Sequence, residues 1–159
     1  MADKKVTTKK YWLMKSEPDV FSIDQLKKDK TTLWSGVRNY QARNFMKDMS
    51  VGDEVLFYHS SAEPSGAAGL ACVSQKAIPD PTQFDKKSEY FDPKATKEKP
   101  IWFCVEVEYV HKFKNLLTLP DLRGEKSLAD MLVLKKGSRL SVQPVTEKEF
   151  ALVKKMGDA

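Results

Sequence analysis

The sequence predicts an α+β domain built on a curled sheet or small β-barrel with flanking helices. Three observations point there. Short apolar and aromatic runs recur along the chain, separated by turns rich in Pro, Gly and charge. These strand-like runs outnumber the long helical patterns and do not alternate with them, as a doubly wound α/β fold would require. With 159 residues, 41% hydrophobic and 31% charged, the chain has apolar material for one globular core and is not a disordered sequence.

The elements follow in order. YWLMK (11–15) is apolar and aromatic, which suits a strand. SIDQ (22–25) has the form of a capping box and opens a short helix to about Lys28. Leu33 and Trp34 form a brief extended piece ending at Gly36. Ala42, Phe45, Met46 and Met49 share one face at helical spacing, predicting a helix over 38–49. Gly52 and Asp53 mark a turn, and EVLFY (54–58) and AGLACV (68–73) are strands joined by a Pro- and Gly-bearing tip. Residues 79–100 contain four prolines and many charges and form a long loop, a feature often tied to function. In IWFCVEVEYV (101–110), Val105, Val107 and Tyr109 alternate with Glu106 and Glu108, a half-buried strand. Residues 116–134 mix short helical turns. Residues 139–142 form a last strand before Pro144. Thr146 and Glu149 make a second capping box for a C-terminal helix over Phe150 and Val153.

Composition narrows the function classes. No apolar run approaches the ~20 residues that span a bilayer, so a membrane partner is not expected. MADKKVTTKK lacks the apolar stretch of a secretory signal. Cys72 and Cys104 are too few for a disulfide scaffold, and His59 and His111 each stand alone rather than at metal-ligand spacing, so neither metal nor cofactor is expected. The thiols suit a reducing intracellular compartment, cytoplasmic in a bacterium and nuclear in a eukaryote, and a monomer is expected. The net charge is +5. Lys4, Lys5, Lys9 and Lys10 against Asp3 put +3 of it in residues 1–10, leaving +2 for the rest. Residues 1–10 are therefore expected to be a basic flexible tail, and 11–159 a single, nearly charge-balanced domain.

The chain carries no phosphate-binding GxxxxGK[ST], no GxGxxG, no HExxH and no GxSxG. Cys72 and Cys104 lie inside apolar strands without basic neighbours, as structural thiols do. More informative are aromatic and polar groups at strand ends: Lys15, Ser16 and Glu17 after the first strand, Trp34 and Ser35 before Gly36, Tyr58 and His59, and Tyr90 and Phe91 in the long loop. A nucleobase needs an aromatic face to stack on, and donors and acceptors for its edge. From spacing alone, Trp34, Tyr58 and Tyr90 fit ordinary core or rim aromatics better than a pocket. Arg38, four residues before Ala42, is placed to meet a phosphate beside a helix start, or to pair internally with a carboxylate. Asn39, Arg43 and Lys47 form a neighbouring, more outward stripe.

YWLMKSEP (11–18), FSIDQL (21–26), WSGVRNYQARNFM (34–46), GDEVLFYHSS (52–61), DPTQFD (80–85) and RLSVQPV (139–145) resemble the EVE domain family, in order and over nearly all of 11–153. The resemblance implies a PUA-like β-barrel of about six strands, similar in fold to YTH domains. It implies a non-enzymatic nucleic-acid-binding module whose partner is DNA or RNA carrying a modified base, a modified cytosine or N6-methyladenine. By motif, Lys15, Ser16 and Glu17 fall on the first-strand pocket segment, Trp34 and Ser35 on a cage Trp-Ser, and Tyr90 or Phe91 on the opposite wall, with Tyr58 nearby. Arg38, Asn39 and Arg43 are then assigned to the nucleic-acid backbone. Among PUA-like relatives, the ASCH group implies an alternative, a nucleobase amidohydrolase using Lys15, Ser16 and Glu17. Strand alternation opposes it, since Ser16 points away from the face shared by Lys15 and Glu17.

Overall fold

The computed structural model describes residues 9–135 and 140–158. Its strands are β1 (Tyr11–Ser16), β2 (Thr31–Leu33), β3 (Glu54–His59), β4 (Gly66–Pro79), β5 (Phe103–Thr118) and β6 (Val142–Val145). Its α-helices are α1 (Ile23–Asp29), α2 (Tyr40–Asp48), α3 (Leu119–Arg123) and α4 (Glu147–Gly157), with a 3₁₀ turn at Pro81–Phe84 among others. The six strands form one mixed sheet in the order β2-β5-β4-β3-β1-β6. β1 and β3 pair in parallel, and every other neighbour is antiparallel. The barrel-like sheet is not closed by a ladder: β2 and β6 end it.

Both faces of the central strands are buried, which is why β1 and β3 appear in sequence as unbroken apolar runs. Trp12 and Met14 of β1, with Val55 and Phe57 of β3, face a core shared with Ile23 and Leu26 of α1, Ala42 and Met46 of α2, and Trp34. Leu13, Leu56 and Tyr58 face the other way, onto Phe113, Leu122, Phe150 and Val153. Burying one such side chain contributes about 1.5–3 kcal/mol, so a one-residue slip of β1 would be costly. The sheet curls through irregular registers, one between Phe57 and Tyr58 and four along β4–β5. At one of these, Gly69 lets two backbones approach: a Cβ there would collide with the His111 carbonyl oxygen.

Several expectations need correction. β4 and β5 run well past 68–73 and 101–110, because bulges let strands continue through sequence that lacks strict alternation. The last strand is β6 at Val142–Val145, not 139–142; Arg139 lies outside the described residues, and Pro144 is tolerated because β6 is an edge strand. α2 starts at Tyr40 with Asn39 as its N-cap, two residues later than expected. Ser22 caps α1, but Gln25 turns to Asp29 Oδ1 at 2.9 Å, so that capping box is half formed. The box at Thr146 and Glu149 is complete. The basic tail falls largely on residues 1–8, outside the described residues. Lys10 belongs to the fold: its N–H donates to Asp53 Oδ1 at 3.1 Å and its carbonyl accepts from Glu54 N at 3.1 Å. Cys104 is buried, its thiol pushed up to about 12 by burial first, while Cys72 is only half-buried.

Candidate base-binding site

A cavity of about 580 Å³ opens where β1 and β2 end. Its walls come from the end of β1 (Lys15, Ser16, Glu17), the turn after it (Val20, Phe21), the segment from β2 into α2 (Trp34 to Asn39), and Tyr90. Ser16 Oγ donates to the Phe21 carbonyl at 2.5 Å, and the Glu17 carbonyl accepts from the N–H groups of Val20 and Phe21. These bonds fold the chain back over the cavity. β1 stops at Ser16, so Glu17 leaves the strand, and Lys15, Ser16 and Glu17 all border the same space. Burial lowers the Lys15 pKa.

Trp34 N–H donates to Val105 O at 2.8 Å, fixing the residue after β2 against β5. Its ring meets Phe57 edge-on, with centroids 5.5 Å apart, and is only 8% exposed. Trp34 is thus both core and cavity wall. Tyr90 is 39% exposed. Its ring lies over Gly36, where a Cβ would come within 2.9 Å of Cε2, and where φ is +85°. The room that Gly36 leaves is therefore taken by Tyr90. Burial, then the Glu89 hydrogen bond and charge and the Glu17 charge, raise the Tyr90 pKa, against a lowering by Arg38.

Arg38 is a clamp within the protein. Its guanidinium donates to Tyr90 O from Nε (3.1 Å) and Nη2 (2.7 Å), to Thr82 Oγ1 (2.9 Å), to Val37 O (3.0 Å) and to Asp80 Oδ2 (3.3 Å). An Arg has five N–H groups, so none is left for a phosphate. This corrects the backbone role assigned to it. Asp80, fully buried, also accepts from Gly36 N (2.7 Å), Thr82 N (2.8 Å) and Thr82 Oγ1 (2.5 Å). One carboxylate thereby ties the cavity wall to the long loop.

The other assigned residues divide. Ser35 lines the cavity. Asn39 lines it too, but its Oδ1 accepts from Ala42 N at 2.8 Å as the α2 cap. Arg43 holds the Ile101 carbonyl at 2.9 Å. Tyr58 is a correction: it points into the second core, because the parity that sends Phe57 toward the cavity side sends Tyr58 away. Phe91, half-buried, is not part of the cavity wall, which Tyr90 alone supplies from this loop. His59 is an acceptor for Ile23 N at 3.1 Å, at the start of α1.

Sequence reasoning missed the residues that shape the loop. Buried Gln83 donates to the carbonyls of Asp80 (2.8 Å) and Trp102 (2.7 Å) and accepts from the N–H groups of Ile101 and Trp102. Trp102 donates from Nε1 to Asp92 at 2.8 Å. The one available signal was Asp80-Pro81, an N-cap followed by proline. Among the described residues, no group of three His, Cys, Asp or Glu is arranged to hold a metal ion, and no helix is long and apolar enough to cross a membrane.

An open, six-stranded α+β sheet with an aromatic-walled cavity at its strand ends defines the class. The EVE domain pattern matches residues 10–156, and the chain belongs to the EVE domain family. It is 41% identical to human thymocyte nuclear protein 1, over 90% of this chain and 72% of that protein. It is similar to the structure of a hypothetical protein from Leishmania major, with TM-score 0.90 and 53% identity, covering 94% of this chain and 95% of that one. It is also similar to human THYN1 protein solved in complex with 5-methylcytosine-containing DNA, with TM-score 0.87 and 40% identity, covering 94% and 98%. The YTH domain of a Zygosaccharomyces rouxii protein, solved with N6-methyladenosine RNA, shares the fold at TM-score 0.55 and 13% identity, covering 95% and 88%.

Proposed function

We propose that this chain is a non-enzymatic reader of a modified base in nucleic acid, and that the cavity beside Trp34 holds the base. The observation that carries this reading is the likeness to human THYN1 protein in complex with 5-methylcytosine-containing DNA, at 40% identity over 94% of the chain. The cavity suits it: about 580 Å³ lies within the ~300–1,000 Å³ of small-ligand pockets. Trp34 and Tyr90 offer aromatic faces, and Ser35, Glu17 and Lys15 offer polar groups for a base edge. Extracting a base from a duplex costs a few kcal/mol, so single strands should bind better than duplexes. The commitment of Ser16 Oγ to the Phe21 carbonyl weighs against the hydrolase. The test is to bind single-stranded oligonucleotides carrying 5-methylcytosine, 5-hydroxymethylcytosine, N6-methyladenine or plain bases, then recover them for mass spectrometry. Preference for a modified base, recovered unchanged, is expected. A deaminated or deacylated product would establish the hydrolase instead, and no preference among the bases would end the reading.

A further inference from the structure

The cavity wall ends at Asn39, and the next residue, Tyr40, turns outward with 60% of its surface exposed. An exposed Tyr is ordinarily mobile. This one lies nearly parallel on Trp102, with centroids 4.9 Å apart and an interplanar angle of 26°. Trp102 is buried and fixed by Asp92 and Gln83. The Arg43 guanidinium stands 4.9 Å from the Tyr40 ring centre and 6.0 Å from that of Trp102. Over the far face of Tyr40, it would be separated from Trp102 by nearly twice the ring spacing. At 6.0 Å it lies over the Tyr40 ring from the side that also holds Trp102. Tyr40 therefore has Trp102 and the Arg43 guanidinium on the same side of its ring, which leaves the opposite side for the 60% of its surface that meets solvent.

We infer that the open face of Tyr40 is a second base-stacking subsite, taking the nucleobase next to the one held in the cavity on the same single strand. This rests on the base-reading assignment of the cavity. Stacking on an aromatic is available to every base and is independent of sequence. A ring already fixed by its neighbours loses little freedom on binding. Charge agrees with an anionic strand. Arg43 and Lys47 follow Tyr40 at i+3 and i+7 on the same helix face, and Lys47 Nζ lies 4.5 Å from the Phe103 ring centre. Arg38 links the two subsites, its guanidinium 5.5 Å from the Tyr90 ring and 5.2 Å from that of Trp102.

The experiment compares wild type, Tyr40→Ala and Tyr40→Phe on three probes. These are the nucleoside 5-methyldeoxycytidine, a short single-stranded DNA with 5-methylcytosine at its centre, and that DNA with abasic sites flanking the centre. Tyr40→Ala should weaken the intact DNA about 5- to 150-fold, the range that base–aromatic stacking supplies, and leave the nucleoside unchanged. Tyr40→Phe should restore most of the loss. On the abasic-flanked DNA, Tyr40→Ala should cost nothing further, because the stacking partner is already gone. Unchanged affinity for the intact DNA, or an equal loss on the abasic-flanked DNA, overturns the inference. If wild type fails to prefer 5-methylcytosine over cytosine while Tyr40→Ala still weakens only the base-flanked strand, the cavity assignment fails and the stacking subsite stands.

Discussion

Arg38 and Asp80 stand 3.3 Å apart, the carboxylate wholly buried and the guanidinium side chain 22% exposed, and their union joins the α2 end of the cavity wall to the long loop that carries Tyr90. Removing one partner of a buried pair costs about 3–5 kcal/mol, because the other is left uncompensated. Asp80→Ala should lose stability of that order in urea melts, since it also orphans the N–H groups of Gly36 and Thr82. Arg38→Lys should not rescue the clamp, because one ammonium cannot span Tyr90, Thr82 and Asp80 together.

The opposite wall is read through Gly36. Its φ of +85° disfavours any side chain, and a Cβ would press on the Tyr90 ring at 2.9 Å. Gly36→Ala should destabilise by more than about 1 kcal/mol and weaken ligand binding by displacing Tyr90. Tyr90→Ala should weaken binding by a similar ~1–3 kcal/mol with little loss of stability. Calorimetric melts and titrations on both variants separate the two effects.

Trp34→Ala cannot distinguish core from pocket, although its strand-end position in sequence suggests that it can. The ring packs on Phe57 and is 8% exposed, so truncation should cost about 3–5 kcal/mol of folding stability and a stacking face at once. Trp34→Phe, measured by melting and binding together, should recover part of both. Full recovery of stability with no recovery of binding would mean that the indole is specific to the ligand.

His59 gives stability a pH dependence. Burial, and secondarily Lys112, lower its pKa below the ordinary value of 6.5, against a raising by Asp24. Its Nε2 accepts from Ile23 N, a role only the neutral ring can fill. The unfolded imidazole therefore takes up its proton first as pH falls. The contribution is fully present above pH ~6.5 and is lost as pH drops from there through the lower folded value. Urea unfolding across pH 5–8 should show stability rising with pH in that window, and His59→Gln should flatten the slope.

Salt should act weakly. Each phosphate neutralised on duplex DNA contributes a slope of about −0.9 in log K against log salt, and with +2 outside residues 1–10 the slope should stay below ~4 in magnitude. Deleting residues 1–8, which hold Lys4 and Lys5 against Asp3, should flatten it further while preserving discrimination between modified and plain bases. Loss of discrimination on deletion would place those residues in the site.

What the sequence by itself determined was local. The helical spacing of Ala42, Phe45 and Met46, the box at Thr146 and Glu149, and the alternation of Val105 and Val107 with Glu106 and Glu108 are set by neighbours in the chain, and each element formed. The apolar runs at 11–14 and 55–58 fixed which strands are buried on both faces. The run of family motifs marked the segments that line the cavity. Tertiary structure alone decided how those segments meet. Arg38 was open between phosphate and carboxylate until Asp80, 42 positions away, was brought to 3.3 Å of it. Tyr58 and Phe57 are equivalent in composition, and only the pairing of β3 between β1 and β4 sets which faces the second core. The extent of β4 and β5 rests on bulges whose hydrogen bonds lie between strands and leave no periodic trace in either one. Nothing in the sequence joins Tyr40 to Trp102, 62 positions later, on which its ring lies. Short-range spacing records backbone geometry, whereas a site made of contacts between distant segments exists only after the chain has closed on itself.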